Sequence, residues 1–277
     1  MERYIDLHTH SNYSDGTDNP EALVRKAKEA GLHAVALTDH DTVAGVDDFV
    51  RFGREFGIET IKGIEISTQM GDVEVHVLGY NIEPDSGAIK RFMIHEEESR
   101  REKNRKMLVR LREIGFDIWE EDFSESKGIV TRGSIAGVMF QKGFVSSKRE
   151  AFDKFIGEGR PAFVDRERLA VRDAVELIKI CGGAPVIAHP YLYKIDDNVF
   201  EAEIRRLADI GLRGVEVLYQ EGHTVERELF YRALANKYSL SVTGGSDYHG
   251  DNKTVKLGFA FNDERIPYSL LDGLRLF

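Results

Sequence analysis

Cysteine and long apolar runs are what this sequence most lacks. Cys181 is the only cysteine in 277 residues, which excludes an internal disulfide and a zinc site built from cysteines, and which suits a reducing compartment. No stretch approaches the roughly 20 apolar residues of a membrane span. The charged residues Glu2, Arg3 and Asp6 also argue against the apolar core of a signal peptide. We therefore predict a cytoplasmic protein without a membrane partner.

A surplus of positive charge is also absent. The formal net charge is −10, so no global basic field would draw the chain to long nucleic acid or to anionic membranes. A phosphate-rich substrate would have to be held locally, within a pocket. The length and the 42% hydrophobic content suffice for one catalytic domain over residues 1–277 with an ordinary core.

The sequence does contain an alternation of short apolar runs and helical patterns, which is typical of βα units and a mostly parallel sheet. Asn19 and Pro20 predict the start of the first helix, and Gly31 predicts its end. Further helices are predicted over 43–56, 86–115, 199–210 and 224–238. The predicted strands are Y-I-D-L, A-V-A-L-T-D, I-K-G-I, V-E-V-H-V-L, A-P-V-I-A, G-V-E-V-L and S-V-T-G-G.

Residues 96–164 interrupt this alternation. They show helical periodicity and loops but no convincing buried strand, and the strand and helix series resumes after them with A-V-R-D-A-V-E-L-I-K-I. We interpret this stretch as a helical insertion within an α/β domain.

The predicted strands end at residues that can bind metals. In a closed or nearly closed barrel of parallel strands, the carboxyl ends of the strands meet at one rim. His8 and His10 also face the same way, because residues two apart lie on one face of a strand. The polar residues at or near these ends are His8, His10, His40, Glu65, His76, His189, Glu216, Asp247 and His249, with Asp15 close to the first strand.

Histidines are concentrated at these positions. Of the nine histidines in the chain, six end or follow a predicted strand. Buried imidazoles and carboxylates would be costly unless divalent cations neutralised them. Nitrogen and oxygen ligands without thiolate suit Mn²⁺, Fe²⁺ or Zn²⁺. His33 and His95 are expected to be solvated, whereas His223 is a candidate for contacting substrate or supporting a ligand.

The motifs together resemble the PHP family, the polymerase and histidinol phosphatase superfamily of metal-dependent phosphoesterases. The resemblance covers nearly the whole chain and is carried, in order, by D-L-H-T-H-S-N-Y-S-D-G, A-L-T-D-H-D-T, G-I-E-I-S, V-H-V-L-G-Y, A-H-P and T-G-G-S-D-Y-H-G. It implies a distorted (β/α)7 barrel whose helical insertion forms a lid. It also implies a cluster of two or three divalent ions, with Mn²⁺ favoured.

The resemblance further implies which residues hold each ion. Nine matching positions carry a side chain that can bind a metal, and Glu65 would bridge two of the ions. The three implied sets are His8, His10, Glu65 and Asp247; Glu65, His76 and His189; and Asp15, His40 and His249.

The insertion resembles the lid of small bacterial PHP phosphoesterases that act as 3',5'-nucleoside bisphosphate phosphatases or as 5'-3' exoribonucleases on short RNA. The likeness is carried by R-E-K-N-R-K, T-R-G-S-I-A-G-V and E-A-F-D-K-F-I-G-E-G-R-P-A-F-V. Relatives commonly have T-R-P-H-I-A, whereas this chain has Gly133 and Ser134 after Arg132. A substrate contact made by that histidine would therefore be missing here or replaced, and Ser134 is the candidate to replace it.

The resemblance implies hydrolysis of a phosphate ester of a small nucleotide, either a nucleoside 3',5'-bisphosphate or the 5' end of a short oligoribonucleotide. Ions bridged by Glu65 would lower the pKa of a shared water, and the resulting hydroxide would attack phosphorus in line. His249, His189 and Asp15 are the candidates for protonating the leaving oxygen. Asp39 and Asp41 flank His40 and are expected to orient ligands.

One stretch, S-R-R-E-K-N-R-K-M-L-V-R-L-R, is strongly basic. It is either a solvated helix face with salt bridges or part of a phosphate site. In the second interpretation Arg101, Asn104 and Arg105, together with Arg132, grip a second phosphate through forked hydrogen bonds. Such a site would select a bisphosphate or an oligonucleotide end.

Three other functions compete with this one. A histidinol-phosphatase-like or other small-molecule phosphomonoesterase fits the same centre, although the long insertion makes it less attractive. Amidohydrolases also begin with H-x-H, but they tend to use a bridging carboxylated lysine where this chain has Glu65, and Lys62 lies three residues too early. A non-catalytic PHP module would have lost ligands, and none is missing.

Overall fold

The chain folds into two compact units, which we call the barrel unit and the insert unit. A computed structural model describes residues 2–124 and 130–275. The barrel unit comprises the residues up to Lys90 and those from Arg168 onward, and the insert unit is Arg91–Glu167. The predicted insertion over 96–164 falls in the insert unit, and it includes residues 125–129, which lie outside the described residues.

The barrel unit is an α/β structure built around a nearly closed, barrel-shaped sheet. The strands of the described residues are β1 (Ile5–Asp6), β2 (Ala34–Leu37), β3 (Glu59–Met70), β4 (Val73–Tyr80), β5 (Leu169–Ala170), β6 (Ala184–Ile187), β7 (Gly214–Leu218) and β8 (Ser241–Gly244). Their order in space is β1-β2-β3-β4-β6-β7-β8, and β5 pairs with β3. Neighbouring strands are parallel except at β4, which is antiparallel to both β3 and β6. The prediction of a mostly parallel sheet is therefore confirmed.

The two ends of the sheet meet beyond β1 and β8. The backbone N–H of Leu7 donates to the carbonyl of Gly244 at 3.3 Å, and that of Tyr248 donates to the carbonyl of His8 at 3.3 Å. The N–H of His10 in turn donates to the carbonyl of Tyr248 at 2.8 Å. These bonds bring the residues that follow β1 beside the residues that follow β8.

Helices occupy most of the connections between strands and most of the insert unit. The α-helices of the described residues are α1 (Pro20–Glu29), α2 (Val46–Phe56), α3 (Gly87–Glu113), α4 (Arg132–Gln141), α5 (Lys148–Ala151), α6 (Val171–Ile180), α7 (Asp197–Ile210), α8 (Val225–Lys237) and α9 (Ser269–Arg275). Helix α1 begins as predicted, because the Asn19 side chain accepts from the Ala22 N–H and Pro20 occupies the first turn. Helix α7 begins two residues earlier than predicted, because Asp196 caps it.

Each unit has its own apolar core. In the barrel unit, strand residues such as Ile5, Leu78 and Val186 belong to one buried cluster. In the insert unit, Leu111 and Ile135 belong to another. None of the helices within residues 2–124 and 130–275 is both long and apolar enough to cross a membrane.

Candidate metal centre

Most of the predicted ligands lie where the sequence placed them, just after a strand of the barrel unit. His8 and His10 follow β1, and His40 follows β2. His189 follows β6, and Asp247 follows β8, with His249 two residues further on. The bonds that join the segments after β1 and β8 bring these groups to one rim. His8 and His10 face the same way, as predicted, since their ring centroids lie 5.1 Å apart, although β1 itself ends at Asp6.

Glu65 and His76 reach the centre in a different way from the one predicted. Neither ends a strand, because β3 and β4 continue past them and form a long antiparallel hairpin. Glu65 pairs with Leu78, so His76 is its diagonal neighbour on the same face of the sheet. The prediction that the strands end at these two residues was wrong, because an apolar run ending in a polar residue does not distinguish a strand end from a strand that crosses the rim.

Glu65 lies at the middle of the centre and is fully buried. Its Oε2 lies 3.2 Å from Nε2 of His8 and 3.2 Å from Nε2 of His10. The same oxygen lies 3.1 Å from Nδ1 of His40. Its Oε1 lies 2.9 Å from Nδ1 of His76 and 2.9 Å from Nε2 of His189. One carboxylate thus contacts five imidazoles, as a ligand shared between ions would.

Within the described residues, candidate ligand atoms form three groups whose members all lie within 4.8 Å of one another. The groups are His8, His10, Glu65 and Asp247; His10, Asp15, His40 and His249; and His40, Glu65 and His76. The first matches a set that the family resemblance implies. The second adds His10 to an implied set. The third holds His40 in place of His189, which approaches Oε1 of Glu65 separately.

The donor atoms suit divalent ions. Among the candidate ligands, five buried nitrogen or oxygen atoms have no hydrogen-bond partner: Nε2 of His8, Nδ1 and Nε2 of His10, Nδ1 of His40 and Oε2 of Glu65. Leaving buried polar atoms unpaired typically costs about 1–3 kcal/mol each. Coordination by a metal would satisfy them, and imidazole with carboxylate suits Mn²⁺, Fe²⁺ and Zn²⁺. The residues therefore fit a cluster of divalent ions.

The carboxylates of the centre are held ionised. Burial raises the pKa of Glu65, but the neighbouring imidazoles of His8, His40 and His76 hold it well below its usual range. Burial likewise raises the pKa of Asp247, and the opposing charge of His8 is the main reason why it lies well below its usual range. Ionised carboxylates are the form that binds a cation.

The imidazoles differ in the ease with which they lose a proton. Burial lowers the pKa of His76, but Glu65 and Glu74 outweigh this effect and raise it to about 10. Burial also lowers the pKa of His40, in this case to about 3. His76 would therefore have to lose a proton before it could hold a divalent ion, whereas His40 would not, so metal affinity would fall with decreasing pH.

Several buried carboxylates support the ligands without joining the three groups. Asp39 accepts from the Ser11 N–H at 2.8 Å, from the Ser11 hydroxyl at 2.7 Å and from the Ser14 hydroxyl at 2.6 Å. It thereby holds the segment that carries His10 and Asp15. Asp41 accepts from the Ser67 N–H at 2.7 Å. That these two residues orient metal ligands stays a prediction, and these hydrogen bonds are compatible with it.

Sequence reasoning missed other supporting residues. The Asp6 carboxylate accepts from the N–H groups of His8, Ser246 and Gly258 and from the Ser246 hydroxyl. No local sequence pattern predicts this contact, because Ser246 lies 240 residues after Asp6 in the chain. Tyr219 follows β7 and donates to Oδ2 of Asp247 at 3.0 Å. Its place at a strand end was the signal that could have identified it.

The predicted substrate-binding residues divide between the units. Arg101, Asn104, Arg105, Arg132 and Ser134 lie in the insert unit, and His223 lies in the barrel unit. The His223 side chain is only 4% exposed and its Nε2 lies 2.8 Å from Glu228. Its ring stacks on Phe261 at a centroid distance of 3.7 Å. These contacts are typical of a histidine that stabilises the fold. A substrate contact for His223 stays a prediction. His33 and His95 are exposed, as expected.

The insert-unit residues are partly occupied by local contacts. Arg101 pairs with Glu97, and Arg105 pairs with Glu102 on the exposed surface of α3. The Asn104 amide donates to the Val130 carbonyl at 2.8 Å. The Ser134 hydroxyl accepts from the Thr131 N–H at 3.2 Å and so helps to cap α4.

Comparison with known proteins identifies relatives over most of the chain. The PHP domain family matches residues 6–226. A 5'-3' exoribonuclease of Haemophilus influenzae is 31% identical over 93% of this chain and 94% of its own length. A 3',5'-nucleoside bisphosphate phosphatase of Chromobacterium violaceum is 30% identical over 88% of this chain and 87% of its own length. Among solved structures, a protein of Bifidobacterium adolescentis assigned as a metal-dependent phosphoesterase is similar with a TM-score of 0.87 and 27% identity, covering 99% of this chain and 96% of that one.

Proposed function

Because this chain belongs to the PHP domain family and is a metal-dependent phosphoester hydrolase, we propose that it hydrolyses a phosphate ester of a small nucleotide. The proposed substrates are a nucleoside 3',5'-bisphosphate and the 5' end of a short oligoribonucleotide. Two relatives that match nearly the full chain are named for these activities. The observation that carries the proposal is the arrangement of imidazoles and carboxylates around Glu65.

The nine candidate ligands support the proposal, because they bring imidazoles and carboxylates together around Glu65. When bound, divalent ions would activate a water molecule and neutralise charge on the phosphoryl oxygens. Glu65 would be a ligand shared by two such ions, because its two oxygens face different imidazoles. We propose two or three ions, with Mn²⁺ favoured over Fe²⁺ and Zn²⁺.

The leaving oxygen needs a proton, and three residues of the centre are candidates to donate it: Asp15, His189 and His249. The Asp15 side chain is 33% exposed and lies 3.2 Å from Nε2 of His249. His189 is only 6% exposed and contacts the central Glu65. We favour His249 with Asp15 beside it, because Asp15 opens this pair to solvent, whereas the side chains of His249 and His189 are equally buried at 6% exposed.

A second phosphate is proposed to bind to basic residues of the insert unit. Arg132 is the first residue of α4, and its guanidinium lies 5.6 Å from the centroid of the Phe163 ring. Arginine offers a planar fork that pairs with two phosphate oxygens. Arg101 and Arg105 add positive charge along α3 in a chain whose net charge is −10. Attraction confined to these residues would reconcile an acidic protein with a polyanionic substrate.

A turnover screen tests the proposal. Purified protein loaded with Mn²⁺ would be offered adenosine 3',5'-bisphosphate, 5'-phosphorylated short oligoribonucleotides, histidinol phosphate and nucleoside monophosphates. We expect the highest kcat/KM on the bisphosphate or on the oligoribonucleotides. Faster hydrolysis of histidinol phosphate would replace this proposal with a histidinol-phosphatase-like activity.

A further inference from the structure

Glu216 is a buried carboxylate next to the metal centre that belongs to none of the three ligand groups. It lies in β7 and is fully buried. Nδ1 of His8 lies 3.1 Å from its Oε1 and 3.2 Å from its Oε2. Its Oε2 also accepts from the backbone N–H of His189 at 2.8 Å. One side chain therefore contacts two candidate ligands that are 181 residues apart in the chain.

The contact with His8 determines which ring nitrogen carries the proton. To bind an ion, the His8 imidazole must be neutral, and a neutral imidazole has one N–H and one lone pair. Since a carboxylate can only accept, the proton of His8 belongs on Nδ1. The lone pair is then on Nε2, which lies 3.2 Å from Oε2 of Glu65 and 3.5 Å from Oδ1 of Asp247. Nε2 of His8 is thereby the nitrogen presented to an ion.

The contact with His189 holds an unusual backbone conformation. His189 has φ 22° and ψ 60°, in a region that non-glycine residues seldom adopt. Such conformations cost energy and persist only where surrounding contacts fix them. The bond from its N–H to Glu216 is such a contact. The same turn directs Nε2 of His189 to within 2.9 Å of Oε1 of Glu65.

We propose that Glu216 is a positioning residue shared by His8 and His189, which fixes the tautomer of the first and the backbone turn of the second. The inference rests on the proposed ligand roles of these two histidines. Oε2 contacts both histidines and Oε1 contacts His8 alone. An amide would keep one acceptor oxygen, but it would lose the negative charge and one of the two contacts to Nδ1 of His8. Gly245 leaves the space for this contact, because a Cβ there would lie 2.1 Å from Cβ of His8 and 2.8 Å from Oε1 of Glu216.

The first test reads the tautomer of His8 in the unaltered full chain. Protein labelled with ¹⁵N at histidine and loaded with Zn²⁺, which is diamagnetic, would be examined by NMR, and the His8→Gln variant would assign the resonance. We expect a proton on Nδ1 of His8 and none on Nε2. A proton on Nε2, or no Zn²⁺-dependent change at Nε2, would overturn the proposal.

The second test measures Zn²⁺ affinity by competition with a chelator. Supporting residues of this kind typically change metal affinity by about 10–100-fold, and we expect Glu216→Gln to weaken binding by that factor. The matched control is Glu226→Gln, which removes the same charge from an exposed position in α8. Unchanged affinity in Glu216→Gln would overturn the proposal. If that variant does not fold, the tautomer measurement decides alone.

These tests are independent of the substrate. Neither the NMR spectrum nor the Zn²⁺ affinity depends on which phosphate ester is hydrolysed. A negative turnover screen would therefore reject the proposed substrates and leave the role of Glu216 standing, whereas a His8 proton on Nε2 would reject that role and leave the substrates open.

Discussion

Lys253 donates to Oδ2 of Asp247 at 2.5 Å, while Oδ1 of the same carboxylate faces His10 at 3.1 Å. The two oxygens of Asp247 thus have different neighbours, one a cation and the other a candidate metal ligand. The Lys253 side chain is 29% exposed, so a positive charge lies at the solvent-accessible edge of the centre.

Replacing Lys253 with Met should impair substrate binding more than metal binding. Loss of a cation weakens the attraction for an anionic phosphate ester, but it cannot weaken Coulomb attraction for a divalent cation. We expect KM to rise about tenfold, which corresponds to about 1.4 kcal/mol, with a Mn²⁺ dissociation constant that is unchanged or lower. Lys256→Met, at a 62% exposed side chain, is the control. A weaker Mn²⁺ affinity with unchanged KM would contradict this role.

Replacing Glu65 with Gln should abolish turnover on every substrate. The amide removes the central charge and one of two acceptor oxygens, and breaking a buried charge pair typically costs about 3–5 kcal/mol. We expect a loss of activity of at least about 100–1000-fold, together with fewer metal ions per chain by elemental mass spectrometry. Glu83→Gln, at a 60% exposed side chain, should change neither quantity. Retained activity would show that Glu65 does not bridge ions.

Replacing Arg132 with Ala should discriminate between substrates. If Arg132 binds a second phosphate, KM for adenosine 3',5'-bisphosphate should rise about 10–100-fold, because a hydrogen bond to a charged group contributes about 1.5–3 kcal/mol. KM for an aryl phosphate, which has one phosphate, should change little. Arg149→Ala, at an 89% exposed side chain in the insert unit, is the control. Equal effects on both substrates would argue against the second phosphate site.

Replacing Gly245 with Ala should destabilise the protein. The added methyl group would lie 2.1 Å from Cβ of His8, and overpacking of this kind costs about 1–3 kcal/mol. Gly137→Ala is the matched control, since its Cβ would meet nothing nearer than 3.7 Å. Because Gly137 lies within α4, alanine there should stabilise by about 0.5–1 kcal/mol. Urea denaturation monitored by circular dichroism would show whether the two substitutions differ in sign.

Ionisation of Asp6 should lower the free energy of unfolding as the pH rises from acidic to neutral. Burial raises the pKa of Asp6 to about 6 from its ordinary value of 3.8, although its hydrogen-bond donors oppose the shift. The folded state therefore binds more protons than the unfolded state between these values, and stability decreases with increasing pH across that window. Between pH 4.5 and 7 the loss from this group is about 2 kcal/mol.

Comparison of wild type with Asp6→Asn isolates this effect. In chelator-treated protein, the stability advantage of wild type over the variant should shrink by about 2 kcal/mol from pH 4.5 to pH 7. Urea denaturation at a series of pH values measures it. A difference that is constant or grows with pH would show that Asp6 is not protonated preferentially in the folded state.

The sequence predicted the parts of this molecule that local patterns determine. Asn19, Pro20 and Gly31 define α1 by capping and turn chemistry that operates over a few residues. His8 and His10 were identified by the period of a strand. The carboxyl ends of parallel strands lie at one rim, so residues that follow different strands come close together. Their convergence could therefore be predicted without knowledge of any side-chain contact.

Contacts between distant segments were beyond local patterns. Nothing near His76 indicates that β4 runs antiparallel to β3, since strand direction is set by the whole sheet. Asp6 and Ser246 meet only because the ends of the sheet come together. The grouping of His40 with Glu65 and His76 likewise depends on side-chain directions that residue spacing does not encode.

The candidate ligands are spread from His8 to His249 along the chain, and that order has a consequence for biosynthesis. During translation the centre stays incomplete until His249 has emerged from the ribosome, after the insert unit and all the described strands have been made. The early histidines of a nascent chain therefore wait for their later partners, and the full ligand set exists only once His249 has been added.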